Sequence, residues 1–434
     1  MRSRRLTELE LLSKIAAALA AVVLATGCPD TSSIPPQSGS TTAASVPEEP
    51  ASEDTGLKAT TGSQIDADPD WRNFRNGTHL RGIAGTTLPE NLELLWELET
   101  HDGVTSTAAI SKGRVYVAEL SGNLRCLDLH SGQEYWHYRT IESEDPEEFA
   151  PGFNAPVTLS ETAVFIGDED GRFYGLDRET KAELWPPIET NGEIKGGATI
   201  LPPDPQTGVP RVMFGSHDGK LYCINAETGE QLWTFDTSGP VNGSQTLDGQ
   251  YTFVSGCDKP FLRVVDVETG AQHAEVPLDG SLMIASPGLV GSELYFGTSD
   301  GEVIALDWQA EKRLWTYSDP KRQQEIHSSP AVTDQLVVIG SRDKRLHAID
   351  RETGDEVWTF ETRGPIDSSP VVVGERIFFG SADRNLYGVD FAGKEIWKYN
   401  AGRRVSASPA VGEDHLIIGC EGPGGKILCF GAMR

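Results

Sequence analysis

The sequence predicts an all-β chain of eight four-stranded units closed into a ring, and three observations carry that prediction. Tryptophans recur in one register at Trp96, Trp136, Trp185, Trp233, Trp315, Trp358 and Trp397, with Ala274 in the eighth place; the steps are 40, 49, 48, 41, 41, 43 and 39 residues. Before most of them an Asp or Asn closes an apolar run, as at Asp128, Asp177, Asn225, Asp266, Asp307, Asp350 and Asp390, and Thr-Gly often follows it. The acidic or amide side chain can bond its own backbone while Gly supplies positive φ, which makes this a turn. No stretch of residues 88–434 shows the apolar period of a helix.

Along the chain, residues 1–27 read as a secretory signal. Arg2, Arg4, Arg5 and Lys14 precede an apolar run from Ile15 to Ala25, too short for the roughly twenty residues that span a bilayer. The run ends Leu24-Ala25-Thr26-Gly27-Cys28, which resembles the lipobox of bacterial lipoproteins, with Leu one place early, and the resemblance implies lipidation at Cys28. Residues 28–68 are Ser-, Thr-, Pro- and Glu-rich with almost no large apolar side chains, so a flexible tether is expected. Residues 69–92 form a lead-in containing Trp71-Arg72-Asn73-Phe74-Arg75, expected either to pack on the ring or to lie over its mouth.

Residues 93–434 supply the ring at about 43 residues per unit. The clearest unit reads as strands at Ser328 to Val332, Gln335 to Gly340, Arg345 to Asp350 and Glu356 to Thr362, and Asp170-Gly171, Asp218-Gly219 and Asp300-Gly301 provide hairpin turns. Eight three-strand blocks follow an unattached strand at Leu94 to Leu98. The last block, ending at Phe430, has no tryptophan strand of its own. Pairing the first strand with the last three closes an eight-bladed β-propeller and removes exposed edges.

Leu-Tyr-Cys-Ile-Asn-Ala-Glu-Thr-Gly-Glu-Gln-Leu-Trp at 221–233, its copies, and Ser-Ser-Pro at 328–330 and 368–370 resemble the pyrroloquinoline quinone (PQQ)-type propeller repeat over roughly residues 93–430. With the lipobox and tether, the chain is similar to the lipoproteins of the outer-membrane barrel-assembly machinery. That resemblance implies a non-enzymatic scaffold, a monomer, anchored through lipid at the outer membrane, facing the periplasm and binding envelope proteins. The repeat also occurs in quinoprotein dehydrogenases, which use PQQ, calcium and a disulfide between adjacent cysteines. This chain has no adjacent Cys pair and lacks their long insertions. A PQQ-dependent oxidoreductase and a binder of envelope polysaccharide stand as the alternatives, and the favoured reading assigns no cofactor, no metal and no catalytic residue.

A formal charge of −28 argues against nucleic-acid binding, which needs clustered Lys and Arg. Without residues 1–27 the charge is −30. Part of the excess sits in one long connection, Glu142, Glu144, Asp145, Glu147 and Glu148, a candidate partner loop. The insert from Leu201 to Gly208 lengthens a hairpin and is a second such candidate. Aligning the units within the chain places Thr105, Asn154, Lys195, Asn242, Ile284, His327, Asp367 and Ser406 at the axial mouth; they differ where neighbouring positions repeat, and the seven polar ones make a candidate funnel-mouth binding site. His327 and Asp367, on adjacent blades, are expected to be able to pair. Cys126, Cys223 and Cys429 share a third-strand position with Gly175, Ala305, Ala348 and Gly388 and read as small buried residues. Cys420 and Cys429 lie in neighbouring strands, in a register that sets Cys429 nearer Ile418, and a bridge between them is left open. Asp168-Glu169-Asp170-Gly171 reads as a turn rather than a calcium loop, because the later bidentate Glu is missing.

Overall fold

Tight turns between short β-branched and aromatic runs leave each unit able to pair only with itself in an up-and-down sheet. The computed structural model describes residues 69–255 and 260–433, and in them thirty-two strands make eight four-stranded sheets with no α-helix. The signal at 1–27, Cys28, the tether at 28–68 and Cys257 lie outside the described residues. From the axis outward, blade 1 comprises Ala109–Ser111, Arg114–Ala118, Asn123–Asp128 and Glu134–Arg139, and the other blades repeat the order. Blade 8 is completed by Glu93–Glu99, which pairs antiparallel with Lys426–Gly431 and sets Trp96 opposite Cys429. The ring closes as the sequence predicts.

The outer-strand tryptophans explain the small third-strand position. Cys126 faces Trp136, Cys223 faces Trp233, Ala305 faces Trp315 and Gly388 faces Trp397 across the ladder. At Gly175 a Cβ would lie 2.4 Å from the Trp185 ring. Burial pushes the Cys126 thiol up to about 11 and Cys223 to about 12, so these sulfurs are inert packing groups. Each indole then bonds the next blade: Trp136 Nε1 donates to the Arg178 carbonyl at 3.1 Å and Trp358 Nε1 to the Phe391 carbonyl at 2.8 Å. The Thr-Gly turn of that next blade slides beneath the ring. Gly354 has φ +78°, and a Cβ there would meet Trp315 at 2.7 Å. The repeated Trp, Gly and small residue are therefore one interblade joint.

Blade 4 makes that joint differently. Ala274 stands where the tryptophan belongs, and Trp308 of blade 5 reaches back into the same apolar cluster, its ring 5.3 Å from Phe253 and 5.5 Å from Tyr251. The indole volume is conserved although the residue that supplies it changes blade.

Three expectations need correcting. The innermost strand of blade 6 is only Ala331–Val332, because Ser329 N donates to Ser369 Oγ of the next blade at 2.9 Å instead of joining its own ladder. The outer strand of blade 2 shrinks to Ile188–Glu189, since Pro186 and Pro187 have no N–H to offer. Cys429 pairs with Ile417 rather than near Ile418, and Cys420 and Cys429 are both free and buried.

The lead-in lies across the end of the ring opposite the mouth. Trp71 exchanges two backbone hydrogen bonds of 2.8 Å with Ile110 of blade 1. The Arg72, Thr78, His79, Arg81 and Gly82 carbonyls accept from Leu159, Leu247, Leu289, Val332 and Val372 of blades 2, 4, 5, 6 and 7, and Pro69 O accepts from Glu413 of blade 8. Trp71 is fully buried in the cluster that joins blades 1, 7 and 8. Arg75 is also fully buried; its guanidinium donates to the Pro330 and Pro370 carbonyls, 2.6 Å each. Gly82 packs so closely that a Cβ would overlap that guanidinium.

Candidate functional site

Each innermost strand is entered from the mouth, so the residues four places ahead of the strands converge on the axis. All eight residues predicted for the mouth, Thr105, Asn154, Lys195, Asn242, Ile284, His327, Asp367 and Ser406, line one axial cavity of about 190 Å³. Phe74 of the lead-in lines it from the sealed end. The channel is therefore a blind funnel.

The rim is held in two polar networks. In the first, Thr105 Oγ1 donates to Asn154 Oδ1 (3.3 Å) and Asn154 Nδ2 to Glu193 Oε1 (2.9 Å). Lys195 pairs with Glu193 at 3.2 Å, and His217 Nε2 donates to Asn242 Oδ1 at 2.6 Å. In the second, His327 Nε2 lies 2.9 Å from Glu325, and Arg342 bridges Glu325 at 3.1 Å and Asp367 at 2.8 Å. His327 and Asp367 thus do not pair; Arg342 and Glu325 stand between them. The hydrogen bond from His327 holds Glu325 below the usual carboxylate range, and the bond to Asp367 raises Arg342 further.

Sequence reading missed Glu193, His217, Glu325 and Arg342. A signal existed for two of them: two places before the mouth residue the blades carry Gly103, Gly152, Glu193, Pro240, Leu282, Glu325, Pro365 and Arg404, so Glu193 and Glu325 break a mostly uncharged register. His217 and Arg342 sit in second-to-third strand turns, where nothing linear points to the axis.

The acidic loop follows the outer strand of blade 1 and leads into the innermost strand of blade 2, which places it on the mouth face. Arg139 orders it by donating to the Ser143, Asp145 and Glu148 carbonyls, 2.6 Å each. Glu142, Glu144, Asp145, Glu147 and Glu148 all remain exposed, and the next residue along the chain, Phe149, is 76% exposed. His137 bonds Glu144 (3.0 Å) and Glu134 (2.7 Å), and chiefly the Glu144 bond raises it above its ordinary value. The Leu201 to Gly208 insert caps itself through Asp204, which accepts from Gln206 and Thr207, and lies at the sealed end. Asp168 accepts from Arg172 N and Tyr174 Oη, 2.7 Å each, as a turn residue would.

A family model described as "Beta-alanine-activating enzyme, beta-propeller" matches residues 153–432, and one described as "Outer membrane protein assembly factor BamB" matches residues 96–186. The outer membrane protein assembly factor BamB of Xanthomonas campestris pv. campestris is 29% identical over 277 residues, 60% of this chain; the match spans only 65% of that relative's length. Among solved structures, BamB from Moraxella catarrhalis superposes with a TM-score of 0.63 at 18% identity, covering 79% of this chain and 98% of that one. Quinohemoprotein alcohol dehydrogenase from Comamonas testosteroni gives 0.66 at 16% identity, covering 84% and 81%. At those identities the two structures establish the fold.

Proposed function

The chain belongs to the β-propeller family described for the β-alanine-activating enzyme, and as a PQQ-like propeller that resembles BamB it is, we propose, a non-enzymatic scaffold of the cell envelope. Lipid at Cys28 anchors it to the outer membrane on the periplasmic side, the 28–68 tether gives it reach, and the monomeric ring binds another protein of outer-membrane assembly. The observation that carries this reading is the contrast between the two ends of the ring. One is occupied by the chain's own lead-in, while the other presents a polar funnel beside an ordered acidic loop with an exposed Phe149. Acidic groups around an apolar anchor suit a basic partner surface that buries an aromatic side chain.

A quinoprotein oxidoreductase is the reading from another class, favoured by 32% identity over 133 residues, 28% of this chain, with the Comamonas testosteroni quinohemoprotein alcohol dehydrogenase. The mouth does not fit PQQ and calcium. Its carboxylates Glu193, Glu325 and Asp367 are each engaged by Lys195, His327 or Arg342, and about 190 Å³ is below the few hundred Å³ of ordinary small-molecule pockets.

Photocrosslinking in cells from Asp367, Glu147 and Phe149 is expected to trap an outer-membrane assembly protein; recovery of glycan alone would overturn the scaffold reading in favour of a polysaccharide binder. Reconstitution with PQQ and calcium is expected to give neither stoichiometric cofactor absorbance nor dye reduction. Cys28→Ala is expected to move the protein to the soluble fraction, and unchanged membrane retention would refute the anchor.

A further inference from the structure

Two residues beyond each mouth residue, the segments leading into the innermost strands carry a second ring of side chains. In blades 4 to 8 it is serine: Ser244, Ser286, Ser329, Ser369 and Ser408, all at least nine-tenths buried and all lining the axial cavity. Each hydroxyl oxygen accepts a backbone N–H from the preceding blade, running Gly197 to Ser244, Ser244 to Ser286, Ser286 to Ser329, Ser329 to Ser369 and Ser369 to Ser408, at 2.8–3.1 Å. The accepted N–H polarises the hydroxyl and leaves its own proton as a stronger donor. Among the described residues none of these five protons has a protein acceptor, so all five are free to donate into the cavity.

A second observation points the same way. The carbonyls that hold Arg75 belong to Pro330 and Pro370, the residues next to Ser329 and Ser369, so a buried cation lies just beneath the serine arc. Among the described residues Arg75 forms no ion pair, and burial pulls it down to about 9. A positive charge taken out of water without a counter-ion attracts an anion strongly across a low-dielectric gap.

We propose that the axial cavity is a binding site for one small monoanion, a halide or a carboxylate, held by the serine arc above Arg75. The site does not depend on the identity of any protein partner. Chloride is the probe: ³⁵Cl line broadening on the full-length chain, at constant ionic strength, is expected to be saturable and to be competed by formate. Ser329→Ala should weaken binding at least tenfold. Because that change leaves the Ser286 N–H unpaired, Ile284→Trp provides an independent variant that fills the funnel above an intact arc, and it should abolish the broadening while the circular dichroism stays unchanged. Broadening that is absent, non-saturable, or undiminished in folded Ile284→Trp would overturn the proposal.

Discussion

The two ends of the ring solve opposite problems with different parts of the chain. At the sealed end a single non-repeated segment meets repeated backbone: carbonyls of the lead-in accept one N–H after another from the innermost strands, with Trp71 and Arg75 buried beneath. At the mouth non-repeated side chains meet each other, and every bond joins residues with no counterpart in most other blades. The sealed end should therefore carry stability, because its contacts are buried main-chain bonds and apolar packing. The mouth should tolerate change, because its ion pairs are wet and individually weak.

Trp71→Ala is the strongest way to test that difference. Emptying a fully buried indole site should cost about 3–5 kcal/mol, read from the urea midpoint, and should expose the lead-in to protease. The blade 4 joint tests whether the indole's volume or its sequence position matters. Trp308→Leu should destabilise by about 2–4 kcal/mol, and Ala274→Trp alone should destabilise by overpacking. The double variant should recover at least about 1 kcal/mol of the summed loss, since the two sites share one cluster; strict additivity would refute the exchange. Gly354→Ala should cost about 1–2 kcal/mol from its positive φ, with the contact on Trp315 adding to it.

Effects at the mouth face should be smaller. His137 is raised above 6.5 by Glu144, so its contribution is fully present below the unfolded pKa and is lost as pH rises through the higher folded value. Amides of residues 140–149 should accordingly exchange faster as pH rises past neutrality, after correction for intrinsic rates, and His137→Gln should remove that dependence. Lys195→Glu should change stability least, within about 0.5 kcal/mol, while altering whatever the funnel binds; a loss as large as that of Trp71→Ala would erase the contrast between the ends.

Repetition made most of the fold legible. A tryptophan every forty-odd residues, a small residue facing it and a Thr-Gly turn beneath it are one joint written repeatedly, so alignment of the chain with itself exposed it. The mouth residues were found because they vary where neighbours repeat. Their partners were harder to see. Arg342 comes from a turn and reaches both Glu325 and Asp367, and spacing cannot show that a guanidinium will separate a histidine and an aspartate that otherwise look paired. The Trp308 substitution was hidden for the same reason, because only packing shows that an indole from blade 5 fills the vacancy of blade 4.

The sequence by itself determined the blade count, the ring closure through Trp96 and the identity of the axial residues, since these follow from period and register, which are local or periodic quantities. Tertiary structure alone decided which end of the ring the lead-in seals, which rim charges pair, and that five serine hydroxyls face one cavity over a buried Arg75. Those outcomes depend on the lead-in meeting strands from all round the ring, and on neighbouring turns and blades meeting at a common axis, where desolvation and hydrogen-bond geometry choose the partners.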